Sequence, residues 1–117
     1  EEGETLYPDE VEPFYGGAVF EEYCVIPLPG AGGNDIPLLV ASPAAPLDKV
    51  SEHFRQCWKS AASRYRVKGL FLISTPFPRT ALGKIKRREI ASTLIQKEGS
   101  WEKIQQNKNF VKSSANI

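Results

Sequence analysis

Apolar positions along this chain fall into short dense runs and spaced repeats. From Ala18 to Leu28 the sequence is rich in Val, Phe, Tyr, Cys and Ile, and Ile36 to Ala41 is a short apolar run. Both read as strands. The segment between them, Pro29-Gly30-Ala31-Gly32-Gly33-Asn34-Asp35, is built of turn residues, so antiparallel pairing is expected. Pro37 lacks an N–H and suits an edge strand or a first position. Leu47, Val50, Phe54, Trp58 and Ala61 then recur at three- and four-residue spacing, which predicts an amphipathic helix with Phe54 and Trp58 in the core. Leu70 to Ser74 reads as a third strand. Thr75 to Gly83 is a loop carrying Pro76 and Pro78. A second long helix is expected over Ile85 to Lys97, with Ile90, Leu94 and Ile95 inward and Gly99 as its stop.

Weaker signals lie at the two ends. Asp9, Glu10 and Glu12 follow Pro8, and acids in a first turn favour a helix start. Gly16-Gly17 cuts that helix short. Trp101 to Gln106 predicts a last short helix, and Lys108 to Ile117 a frayed tail. The order helix, strand, strand, helix, strand, helix is that of an α+β domain. Its expected core is a small three-stranded, largely antiparallel sheet flanked by helices. Residues 1–99 are expected to form the domain and 100–117 a C-terminal tail.

Charge changes this picture more than composition does. Residues 1–48 hold ten acids and no base, whereas residues 49–117 hold all 15 bases and four acids. Within the second part, Arg64 to Arg88 carries eight bases and no acid. Such a run is either a solvated face or an anion site, and the opposite signs favour packing the two parts together. No stretch approaches the ~20 apolar residues of a membrane span. Two cysteines, Cys24 and Cys57, make neither a disulfide framework nor a four-ligand zinc site, so a reducing, cytoplasmic setting is expected. His53 and Cys57 stand four apart on the predicted helix without further ligands, so no metal site is expected in this chain. The sequence has no Met and opens Glu1-Glu2-Gly3, as expected of a processed chain or a part of a larger one.

The segment with the most chemistry is Pro78-Arg79-Thr80-Ala81-Leu82-Gly83-Lys84-Ile85-Lys86-Arg87-Arg88. It is not a Walker loop, which needs Gly where Pro78 stands and Ser or Thr where Ile85 stands. The ingredients still suit an anion: Gly83 permits a sharp turn, a helix start offers free N–H groups, and Lys84 supplies a mobile point charge.

This segment resembles the last core motif of the adenylate-forming superfamily, which includes acyl- and aryl-CoA synthetases, peptide-synthetase adenylation domains and firefly luciferase. Three further segments are similar in order and spacing. Gly3 to Glu12 resembles the end of the hinge-side motif, Ala18 to Pro29 its following strand, and Arg64-Tyr65-Arg66-Val67 the step before the third strand. Lys68 departs from the family, which often has Pro there. The resemblance implies the small C-terminal lid domain of such an enzyme. The large N-terminal domain of the family binds ATP and Mg²⁺ and holds the acid pocket.

The resemblance also implies roles. Lys84 would be the catalytic lysine of adenylation, with Thr80 and Gly83 in the nucleotide-facing loop. Gly3, Glu4, Thr5 and Leu6 would form the strand lining the thiol tunnel. Arg64, Arg66, Lys86, Arg87 and Arg88 would be available to the phosphates of CoA or to an acyl or peptidyl carrier protein bearing phosphopantetheine. Alone, such a domain is expected to be inactive. Two alternatives remain: a stand-alone interaction module docking through its basic face, and a nucleic-acid binder. The aromatics near the basic run (Tyr65, Phe71, Phe77) form no RRM- or KH-type motif, so no nucleic-acid partner is expected.

Overall fold

The computed structural model describes residues 8–30, 33–74 and 76–113. A single-turn helix α1 (Pro8–Val11) runs into a 3-10 turn (Glu12–Phe14). Strand β1 (Phe20–Pro29) and strand β2 (Asp35–Pro43) follow, then helix α2 (Leu47–Ser60) and a 3-10 turn (Ser63–Tyr65). Strand β3 (Gly69–Leu72), helices α3 (Arg87–Glu98) and α4 (Trp101–Gln106), and strand β4 (Phe110–Lys112) complete the order.

The Gly16-Gly17 step after the 3-10 turn is closely packed. A Cβ on Gly16 would lie 2.5 Å from the Tyr23 hydroxyl, and one on Gly17 would lie 2.5 Å from Cε1 of His53. A side chain at either position would require Tyr23 or His53 to move.

β1 and β2 form a long antiparallel pair, from Phe20↔Pro43 to Pro29↔Asp35. Consecutive residues of a strand point to opposite faces, and here both faces are covered. Val25, Leu39 and Leu70 pack with Val50 and Phe54 of α2 and with Val11 and Tyr15 on one face. Cys24, Ile26, Leu38 and Val40 pack with Ile90 and Leu94 of α3 and Ile104 of α4 on the other. This explains why β1 and β2 read as continuous apolar runs rather than as alternating ones. Leu47, expected on the inner face of α2, is 56% exposed at the first turn.

The expectation of an α+β domain with a largely antiparallel sheet holds, and the sheet departs from it in strand count. The sheet has four strands in the order β1-β2-β3-β4. β2 pairs with β3 in parallel, because α2 carries the chain back to the same end. β3 pairs with β4 antiparallel. The tail expected to fray at Lys108 therefore closes the sheet. Val111 is buried, and the Phe110 ring lies where a side chain on residue 69 would be, over Gly69. Asn107 turns the chain into β4: its side chain donates to Glu98 (2.9 Å) and accepts the Asn109 N–H (2.8 Å). Three residues carry too little pattern to show as a strand in sequence.

Pro37 lies in an interior strand rather than an edge one. It is tolerated because it faces Pro27 across the ladder and precedes the first β2–β3 partner, Leu39. The outer edge of β1 is also specific. The Val25 N–H donates to a side chain, Glu12 Oε2, at 2.8 Å rather than to β2. The outward-facing positions alternate, so the next two are Pro27 and Pro29, which have no N–H.

Candidate functional site

The motif segment forms a small hairpin between β3 and α3, bridged at Arg79↔Ile85. The Thr80 N–H donates to the Lys84 carbonyl (2.8 Å), and the Gly83 N–H donates to the Thr80 carbonyl (2.9 Å). Gly83 has φ +91°. This is the pattern of a three-residue hairpin loop closed by a bulge, which places its last residue in the left-handed region and so favours Gly. The Lys86 N–H returns to the Pro78 carbonyl (2.8 Å), and α3 begins at Arg87, two residues later than the sequence suggests.

The loop presents Lys84 outward. Lys84 is exposed, and none of the ion pairs among the described residues includes it. Its N–H donates to Thr80 Oγ1 at 3.2 Å. The Gly83 carbonyl accepts from Arg79 Nη1 at 2.8 Å. The peptide joining Gly83 to Lys84 is thus held at both polar atoms by side chains. Thr80 and Gly83 shape the hairpin around Lys84. Leu82 projects from the tip, 90% exposed.

Arg79 ties the hairpin to the sheet. Its Nη2 donates to Glu22 Oε1 at 2.8 Å, and Glu22 Oε2 accepts the Phe77 N–H at 3.1 Å. Glu22 was not among the residues singled out from the sequence. The only signal was an acidic pair, Glu21-Glu22, near the start of an otherwise apolar strand.

The basic run does not form one patch. Arg64 and Arg66 precede β3, and Lys84, Lys86, Arg87 and Arg88 follow it, and these residues take different partners. Arg66 lies over the Trp58 ring (4.2 Å) and donates from Nε to the Trp58 carbonyl and from Nη2 to the Lys59 carbonyl. It thereby caps the end of α2. Arg64 lies over the Tyr65 ring at 4.8 Å, which in turn stacks on Phe14. Lys86 approaches Glu89 at 3.9 Å, and Arg88 is exposed.

Arg87 has a structural partner. Its Nε and Nη2 reach Glu12 Oε2 at 3.0 and 2.8 Å, and Nη2 reaches Asp9 Oδ1 at 3.0 Å. Burial works against its charge, and the Glu12 and Asp9 carboxylates more than offset that, so its pKa lies above the ordinary value. The opposite charges of the two chain halves do pack together, through this pair and through Arg79–Glu22.

Gly3, Glu4, Thr5 and Leu6 lie outside the described residues. Among the described residues no group of three or more His, Cys, Asp or Glu could hold a metal ion. His53 Nε2 lies 3.0 Å from the Tyr15 carbonyl and 3.5 Å from Cys57 Sγ. Both thiols are unpaired; burial pushes Cys24 up to about 12 and also raises Cys57. Among the described residues no helix is long and apolar enough to cross a membrane.

No family model matches the chain, and no curated protein matches it. Solved structures do. The chain is similar to a fatty acyl CoA synthetase of Mycobacterium tuberculosis, at 26% identity and TM-score 0.56, over 78% of this chain and 19% of that one. The chain fits the C-terminal domain of the adenylate-forming superfamily. Other solved structures share this fold. An o-succinylbenzoate CoA synthetase of Bacillus subtilis matches at 23% identity and TM-score 0.56, over 76% of this chain and 18% of that one. A coronafacic acid ligase of Pectobacterium brasiliense matches at 14% identity and TM-score 0.60, over 95% of this chain and 20% of that one. The chain thus spans about a fifth of the length of these adenylate-forming relatives.

Proposed function

We propose that this chain serves as the C-terminal mobile domain of an ATP-dependent, AMP-forming acid–thiol ligase of the acyl-CoA synthetase type. The observation that carries the reading is the Lys84 hairpin: an exposed ammonium, without an acidic partner among the described residues, at the motif position of the adenylation lysine and in a domain with the fold of CoA synthetases.

In the first half-reaction a carboxylate oxygen attacks the α-phosphorus of ATP, forming acyl-adenylate and expelling pyrophosphate. Lys84 would enter the active site of the large N-terminal domain and bridge the carboxylate and the α-phosphate. An ammonium placed there positions the two reactants and stabilises the charge that develops between them. In the second half-reaction a thiol, from CoA or a carrier-borne phosphopantetheine, takes the acyl group and AMP leaves. The segment Gly3 to Leu6 would then line the thiol path. Mg²⁺ and ATP would be held mainly by the N-terminal domain, since no described cluster here suits a metal. The two unpaired thiols suit a reducing, cytoplasmic setting. Arg64 and Arg88 keep exposed charge for CoA phosphates or a carrier surface.

The test compares the two half-reactions in the native polypeptide that carries this chain. Lys84→Ala is expected to lower ATP–pyrophosphate exchange by ~10²–10³, while CoA thioester formation from supplied acyl-adenylate is spared. Equal loss in both half-reactions refutes the role of Lys84. A native polypeptide that shows no exchange with any carboxylic acid of a broad panel supports an interaction module instead.

A further inference from the structure

We propose that Glu22 and Arg79 are positioning residues for Lys84, acting as a strut from β1 to the hairpin. This rests on the adenylation role proposed for Lys84.

The geometry is continuous from the sheet to the lysine. Glu22 is held on β1 at its pairing with Ser42 of β2, and its side chain is only 17% exposed. One oxygen anchors the Phe77 N–H and the other receives Arg79 Nη2. The other terminal nitrogen of the same guanidinium, Nη1, holds the Gly83 carbonyl. A planar fork can serve two acceptors at once in fixed relative directions, which a lysine ammonium cannot. The Gly83 carbonyl belongs to the peptide whose nitrogen is that of Lys84, and that N–H is fixed by Thr80 Oγ1. The plane of this peptide, together with the Lys84 φ that the Thr80 N–H bond to the Lys84 carbonyl helps to hold, sets the direction of the Lys84 Cα–Cβ bond. Gly83 itself cannot set it, because a glycine at φ +91° is the most permissive residue of the loop. The strut supplies the constraint that the glycine lacks. Without it the hairpin keeps its internal hydrogen bonds but loses its fixed angle to the sheet, and small misplacements of a reacting group are costly in rate.

Arg79→Ala and Glu22→Gln are compared with Lys84→Ala in the adenylating polypeptide, and ¹⁵N relaxation is recorded on this 117-residue chain. Both strut variants are expected to lower the kcat of pyrophosphate exchange roughly 10- to 100-fold. Carboxylate and ATP KM, thioester formation from supplied acyl-adenylate and melting temperature should stay near wild type. Arg79→Lys should recover only part of the loss. Order parameters at Gly83 and Lys84 should fall in Arg79→Ala while those of β1 and α3 stay unchanged. Loss in Lys84→Ala but not in Arg79→Ala or Glu22→Gln overturns the strut and leaves the function standing. Loss in none of the three overturns both. Equal loss in both half-reactions together with a lowered melting temperature shows a merely structural pair and overturns the positioning role.

Discussion

Glu12 should cost this domain more on removal than its partner Arg87. Its carboxylate takes the Val25 N–H at 2.8 Å and both Nε and Nη2 of Arg87. Its side chain is 16% exposed and that of Arg87 27%. Arg87→Ala breaks the ion pair but leaves Glu12 accepting from Val25. For a partly buried, charge-assisted pair that loss is roughly 1.5 kcal/mol. Glu12→Ala loses the same pair and also strands the Val25 N–H, on a fully buried residue. An unsatisfied buried donor adds about 1–3 kcal/mol, giving a total of ~3.5 kcal/mol. A domain of this size shifts its melting temperature by about 4 °C per kcal/mol. Urea unfolding and thermal melts should therefore place Arg87→Ala about 6 °C and Glu12→Ala about 14 °C below wild type. The double variant should match Glu12→Ala, because Arg87 has lost its main partner already. Equal losses for the two single variants would refute the account, since the difference between them is the Val25 N–H.

Other outcomes follow from the same structure. Ending the chain after Asn107 should destabilise the domain by roughly 3 kcal/mol, because buried Val111 and half-buried Phe110 are lost; an unchanged urea midpoint would return residues 108–117 to a frayed tail. Gly69→Ala should cost stability and loosen β4, read as faster amide exchange at Val111, because the new Cβ meets the Phe110 ring. Gly83→Ala should cost about 1–2 kcal/mol for its positive φ and lower adenylation further than that stability loss explains. Burial lifts the Cys24 thiol from its usual 9 to about 12. Above pH 9 the unfolded chain gives up a proton that the folded one keeps, so stability should fall as pH rises, by at most about 1.4 kcal/mol per unit. Cys24→Val should flatten that slope between pH 9 and 10, as followed by urea titrations.

Much of this architecture could be read directly from residue order. Periodicity at Leu47, Val50, Phe54 and Trp58 located α2, and the dense runs located β1 and β2, because long elements repeat their pattern often enough to be seen. The Gly-Lys motif located the loop, but its closing as a hairpin through Arg79 and Ile85 was not legible. What escaped was non-local. β4 is three residues long and owes its existence to a glycine 41 positions earlier, counting from Gly69 to Phe110. The charge run looked like one basic face, yet β3 divides it, and its members Arg79, Arg66 and Arg87 are occupied with Glu22, the end of α2, and Glu12. Counting charges cannot show which of them have partners 57 or 75 residues away.

The β1 edge bears on how this domain can associate. A strand laid beside β1 from Val25 to Pro29 would find one N–H already taken by Glu12 and two prolines in place of donors. The opposite edge, β4, is three residues long. Over these stretches neither side offers a usable template for strand addition, which limits nucleation of cross-β growth there. Under the proposed reading, in which the domain swings on a larger body, that closure limits sticking between copies. Any lasting partner would have to engage the helices or the loops at the ends of the sheet, where side-chain shape and charge decide the match.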